Sequence, residues 1–142
     1  MKPRVLAALA LFLAPIGAAA QVTPAADFTD MWWNPNESGW GISIRQKPPA
    51  GGTRDTLFAI WFTYDPRTPD PTTAAATDYV PLLLPMTEGS LTTPTTYSLR
   101  VFVTQGTPFA PFWNNGDFAI QEIGTATLSF TDASNGTFTY DI

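Results

Sequence analysis

The alternation of apolar and polar positions is mostly of period two. Trp40, Ile42 and Ile44 interleave with Gly41, Ser43 and Arg45, the pattern of a half-buried β-strand. Residues 56–64 (TLFAIWFTY) are apolar on both faces, with Leu57, Ala59 and Trp61 on one and Phe58, Ile60 and Phe62 on the other, which predicts a central strand. Tyr97, Leu99, Val101 and Val103 alternate with Ser98, Arg100 and Thr104 in a further strand. Residues 123–131 and 137–142 are two β-rich runs joined by Asp132-Ala133-Ser134-Asn135-Gly136, and Asn-Gly is a strong hairpin signal because both residues tolerate positive φ. The inward set predicted for that hairpin is Ala126, Leu128 and Phe130 facing Phe138 and Tyr140.

Punctuation between these runs predicts loops. Residues 47–52 (KPPAGG) cannot continue a ladder, and residues 66–77 are too rich in Pro and Thr for a sheet interior. Pro81 and Pro85 demote the run 79–84 to an edge or irregular strand, and Glu88-Gly89-Ser90 reads as a turn. Residues 109–116, with Trp113, read as a loop crossing one end of the fold. No amphipathic helix is expected in the mature chain. The sum is an all-β domain, an antiparallel meander of about six to eight short strands forming a small barrel or a sandwich.

The first twenty residues stand outside this pattern. Met1-Lys2-Pro3-Arg4 is a short cationic start, residues 5–16 are apolar, and Ala18-Ala19-Ala20 follows Gly17. That arrangement describes a secretory signal peptide at residues 1–20, cut before Gln21, and the run is short for a membrane anchor. The mature product, residues 21–142, is then one exported domain, periplasmic or extracellular, with a flexible lead-in at 21–30 and no membrane span.

Composition narrows the chemistry. The 142-residue chain has no Cys and no His, which removes disulfides, thiolate nucleophiles, Ser-His-Asp triads and His-ligated metals. Loss of residues 1–20 takes away Lys2 and Arg4, leaving five of the seven basic side chains against all twelve acidic ones, a net charge of −7. The remaining cations, Arg45, Lys47, Arg54, Arg67 and Arg100, are scattered, so nucleic acid is not an expected partner. Neither a cofactor nor a metal is expected; the Asp132–Gly136 segment resembles a calcium loop only faintly, lacking its terminal Glu.

The segment at residues 30–41 (DMWWNPNESGWG) gathers Trp32, Trp33 and Trp40 around a turn containing Asn34, Pro35 and Asn36. Here the chain resembles an uncharacterised exported bacterial family of β-rich modules. The family carries a W-x-x-P-x-E-S-G-W-G opening, a strand like LFATWFTYD, a Y-x-x-x-L-Y-x-T-x-G-x-P-F stretch and a G-T-x-T-L-x-F-x-D-x-x-N-G-T-F-T-Y hairpin. Pro35, Glu37, Ser38, Gly39, Trp40 and Gly41 match the opening, and residues 57–65, 97–109 and 124–140 match the rest in order. The resemblance implies a secreted β-rich module and carries over no catalytic residue.

Functional expectations therefore rest on aromatic side chains. Trp61, Phe58, Phe62, Phe102, Phe130 and Phe138 fall within strands and read as core. Trp32, Trp33, Trp40, Phe109, Phe112 and Trp113 fall in or beside loops, where they either form an exposed platform or plug one end of the fold. Glu37, set among the tryptophans, either satisfies backbone donors of the turn or pairs with Arg45, or else orients a ligand as an acceptor in a cleft. Trp32, Trp33, Glu37, Trp40 and Trp113 are the candidate ligand-binding residues, for a non-catalytic binding or adhesion module acting on a glycan or a protein partner. The alternative is a structural module that self-associates through an open sheet edge. Paired-carboxylate hydrolysis, from Glu37, Glu88 and Glu122, is a distant third.

Overall fold

The computed structural model describes residues 22–47, 56–67, 72–109 and 112–142. The leader, most of the 47–52 loop and residues 68–71 of the Pro/Thr-rich loop lie outside the described residues. One antiparallel sheet contains seven strands: β1 (Met31–Trp32), β2 (Gly41–Lys47), β3 (Thr56–Tyr64), β4 (Pro81–Thr93), β5 (Thr96–Gln105), β6 (Ala119–Phe130) and β7 (Gly136–Asp141). Each strand pairs with its sequence neighbour, so the all-β meander expected from the period-two pattern is present. The described helical elements are two three-residue 3-10 turns, and no helix among the described residues is long and apolar enough to cross a membrane.

The two-residue period places alternate side chains on one face. Ile42 and Ile44 of β2, Leu57, Ala59 and Trp61 of β3, Leu84 and Met86 of β4, Tyr97, Leu99 and Val101 of β5, and Ala126, Leu128 and Phe130 of β6 form one buried cluster. Each fully buried Leu or Ile contributes about 2 kcal/mol relative to exposure. The expectation that β3 is buried on both faces is corrected: Phe58 and Phe62, assigned to the core, are 43% and 38% exposed. The meander is a single layer, so the outward face of β3 has no second sheet over it.

Two further expectations change at β4. It is an inner strand between β3 and β5, not the edge that Pro81 and Pro85 suggested, while the other reading, an irregular strand, agrees with its register shifts. The prolines are tolerated because the register with β5 begins only at Met86, opposite Val101, leaving residues 81–85 paired with β3. Nor do residues 88–90 turn. They lie inside β4, where the register shifts against both neighbours. A Cβ at Gly89 would sit 2.6 Å from the Leu57 carbonyl oxygen, so the glycine permits a close backbone approach. The actual reversal is at Pro94-Thr95.

The lead-in is built into the core. Phe28 is buried and stacks on Phe130, with ring centroids 3.9 Å apart and planes inclined by 6°. The buried Gln46 side chain accepts from the Phe28 N–H at 2.8 Å and donates to the Ala26 carbonyl at 3.1 Å, replacing the solvent that this backbone has lost. Ala25 N–H donates to the Pro94 carbonyl at 2.7 Å, fastening the segment to the β4–β5 turn.

The sheet curls until its first and last strands approach, yet no ladder joins β1 to β7 among the described residues. Side chains bridge the seam instead. Trp32 meets Phe130 at 4.9 Å, Trp40 meets Phe138 at 6.0 Å, and Trp61 meets Phe138 at 5.1 Å and Tyr140 at 4.6 Å, all between ring centroids.

Candidate functional site

A cleft of about 870 Å³ runs along this seam. Its first wall is the turn after β1 with the adjoining strands, presenting Trp32, Trp33, Asn34, Pro35, Glu37, Trp40 and Trp61. Its second wall is the β6–β7 hairpin, presenting Phe130, Ser134, Asn135, Thr137, Phe138 and Tyr140. Aromatic rings thus alternate with short hydrogen-bonding side chains, the lining typical of sites that hold small amphipathic ligands.

Local sequence shapes the first wall. The Asn34 side chain accepts from the Asn36 N–H at 3.0 Å while the Asn34 carbonyl accepts from the Glu37 N–H at 3.1 Å, closing a turn around Pro35. Gly39 has φ +95°, a conformation that side chains resist, and lets the chain pass over the Tyr64 ring into β2. Within that turn Glu37 accepts from the Trp40 indole N–H at 3.1 Å, orienting the ring, while the Trp32 indole donates to the Phe28 carbonyl at 3.0 Å.

The second wall is held by Asp132. Its carboxylate accepts from the Ser134 N–H at 2.8 Å and from the Asn135 amide at 3.0 Å. These bonds, the Ser134 backbone first, hold the Asp132 carboxyl below the ordinary range. The segment is a hydrogen-bonded hairpin turn, and the described residues contain no group of three or more Asp and Glu able to hold a metal.

Electrostatically, Glu37 is the only charged residue lining the cleft among the described residues. The Trp61 indole is 6% exposed, and its N–H has no hydrogen-bond partner among the described residues. An unpaired buried donor costs about 1–3 kcal/mol.

Four of the five candidate residues, Trp32, Trp33, Glu37 and Trp40, line this one cleft. Trp33 is the most open of the three tryptophans among them, at 69% exposure. Trp113 does not line it. The loop after β5 begins at the opposite end of the twelve-residue β6; there Trp113 packs over Gly106 and Phe118 and donates to Asn115 at 2.6 Å. Glu122 is also elsewhere, on β6, paired with Arg100, which lowers its carboxyl below the ordinary value. Glu37 accepts from the Trp40 indole and lines the cleft at the same time.

Three cleft residues, Trp61, Phe138 and Tyr140, read from sequence as strand core. Their inward alternation was visible, but that β3 would lie across from β7 depends on how far the sheet curls. Compared with protein-family models, curated proteins and solved structures, the chain matches none of them.

Proposed function

We propose that this chain is an exported, non-catalytic binding module whose seam cleft takes an uncharged glycan. The observation that carries the reading is the joining of exposed and half-buried rings, Trp33, Trp40 and Tyr140, with Asn34, Asn135 and Thr137 in one open cleft. Sugar rings present an apolar C–H face and a hydroxyl rim, which suit aromatic platforms and short polar side chains respectively. Charge narrows the class. An anionic sugar would face Glu37 with no cation among the described lining residues to meet it. The resemblance of residues 33–41 and 124–140 to exported bacterial modules supports the same reading, since those segments supply most of the two walls.

Hydrolysis has less support. Glu37 is the only carboxylate of the lining among the described residues, whereas most glycosidases use two flanking the scissile bond. The proposal is tested by titrating a panel of soluble neutral and uronate-containing oligosaccharides into the folded protein. Binding of at least one neutral member, lost in Trp33→Ala with the fold intact, is the expected result. No binding across the neutral members, or a preference for uronates, overturns it.

A second reading is favoured by β7, which pairs with β6 on one side alone among the described residues and contains neither Pro nor Lys to discourage strand addition. An assembly role through this edge predicts a mass that rises with concentration. A monomeric mass throughout the micromolar to millimolar range refutes it.

A further inference from the structure

The three buried or half-buried tryptophans of the cleft differ in one respect. The indole N–H of Trp32 is accepted by the Phe28 carbonyl and that of Trp40 by Glu37, while that of Trp61 has no acceptor among the described residues. A phenylalanine at this position would fill the inner face of β3 without burying a donor. Folding therefore gains nothing from the N–H itself, and an unmade hydrogen bond in a closed, aromatic surrounding opposes the fold.

Two rings of β7 pack against the Trp61 indole. The Trp61 ring is crossed by Phe138 at 79° and lies under Tyr140, with centroids 4.6 Å apart and planes inclined by 47°. Phe138 is half-buried and braced against Trp40 as well. Tyr140 is 55% exposed and stands on β7, which is paired on one side only among the described residues. Of the two rings it is the more exposed, and its outward rotation parts it from Trp61 and from Phe138, whose ring centroid is 5.4 Å away.

Building on the glycan reading above, we infer that Trp61 is a ligand-binding residue, its indole N–H kept for an oxygen of the bound sugar that enters when the Tyr140 ring moves aside. An indole N–H only donates, so the group that satisfies it must be an acceptor. A sugar hydroxyl or ring oxygen qualifies. An ammonium group does not, which separates this site from an aromatic cage for cations even though Glu37 stands at its rim.

The probes are cellohexaose, xylohexaose, mannohexaose and chitohexaose, titrated into the whole mature chain with the tryptophan indoles labelled with nitrogen-15. The five indole signals are assigned by single Trp→Phe variants; if W61F does not fold, the other four assign Trp61 by elimination. With the hexaose that binds, the Trp61 indole proton is expected to move downfield and W61F to lose about five- to tenfold in affinity. A hexaose that binds while the Trp61 signal stays in place overturns the role of Trp61 and leaves the glycan reading standing. Absence of binding by all four overturns both.

Discussion

Trp61 of β3 and Phe138 of β7 meet edge to face, with centroids 5.1 Å apart, although three strands lie between theirs in the sheet. This contact, with Tyr140 beside it, joins the middle of the meander to its last strand without a backbone ladder. The seam is held by rings, so it has a floor and two walls where a fully laddered barrel would have continuous sheet.

Phe138→Ala removes the ring shared by Trp40 and Trp61. Because Phe138 is half-buried, the cost falls below that of a fully buried phenylalanine, about 2 kcal/mol. Denaturant unfolding measures it. Any glycan binding falls with it, since the variant widens the cleft.

Trp33→Ala separates binding from folding. At 69% exposure the ring contributes little to the core, so the unfolding midpoint is expected to change by less than about 0.5 kcal/mol in stability. Affinity for a bound neutral oligosaccharide is expected to drop by at least tenfold, about 1.4 kcal/mol. Trp113→Ala serves as the contrast. It disturbs the Gly106–Phe118 packing but leaves cleft affinity unchanged, and a loss of binding there would move the site to the β5–β6 loop.

Gly89→Ala tests the bulge in β4. The added methyl meets the Leu57 carbonyl oxygen at 2.6 Å, a backbone atom that cannot swing aside. Destabilisation of about 2–3 kcal/mol is expected from forcing the strands apart, measured by thermal unfolding. A neutral outcome would show that β3 and β4 are loosely paired at this point.

Asp132→Asn tests the hairpin clamp through pH. The folded carboxyl lies below its ordinary value of 3.8, so its hydrogen bonds stabilise the ionised form. That stabilisation is fully present above the ordinary value and is lost as pH falls through the lower folded one. The variant is therefore expected to be less stable than the parent at pH 6, with the gap closing below about pH 3.8. Parallel stability curves from pH 6 to pH 2.5 would exclude the clamp.

Gln46→Leu tests the buried lead-in. It leaves the Phe28 N–H and the Ala26 carbonyl without their side-chain partner. A cost of about 1–3 kcal/mol is expected, with faster amide exchange at Phe28 as its local signature.

The sequence was most legible where local physics suffices. β3 at Thr56–Tyr64 and the reversal between β6 and β7 stand where period and turn residues put them, although Gly136 opens β7 without the positive φ expected there, and Ala126 and Leu128 face Tyr140 and Phe138 in the observed register. It misled where a local signal had a non-local remedy. Pro85 looks like a strand breaker until its position outside the β4–β5 register is known, and Gly89 looks like a turn until Leu57 is placed against it. Phe28 has no periodic neighbours to mark it as core; its burial comes from Gln46 and Phe130, 18 residues away in the first case and on the sixth strand in the second.

By itself the sequence determined an all-β meander, because side-chain alternation and turn residues act over a few positions. It also determined which aromatics sit beside the Asn34–Asn36 turn, and so placed Trp32, Trp33, Glu37 and Trp40 together. Only the tertiary structure decided that these residues face Phe138 and Tyr140 and that Trp113 stands apart. Curl and seam closure are sums of twist over seven strands, and no single stretch of chain encodes that sum.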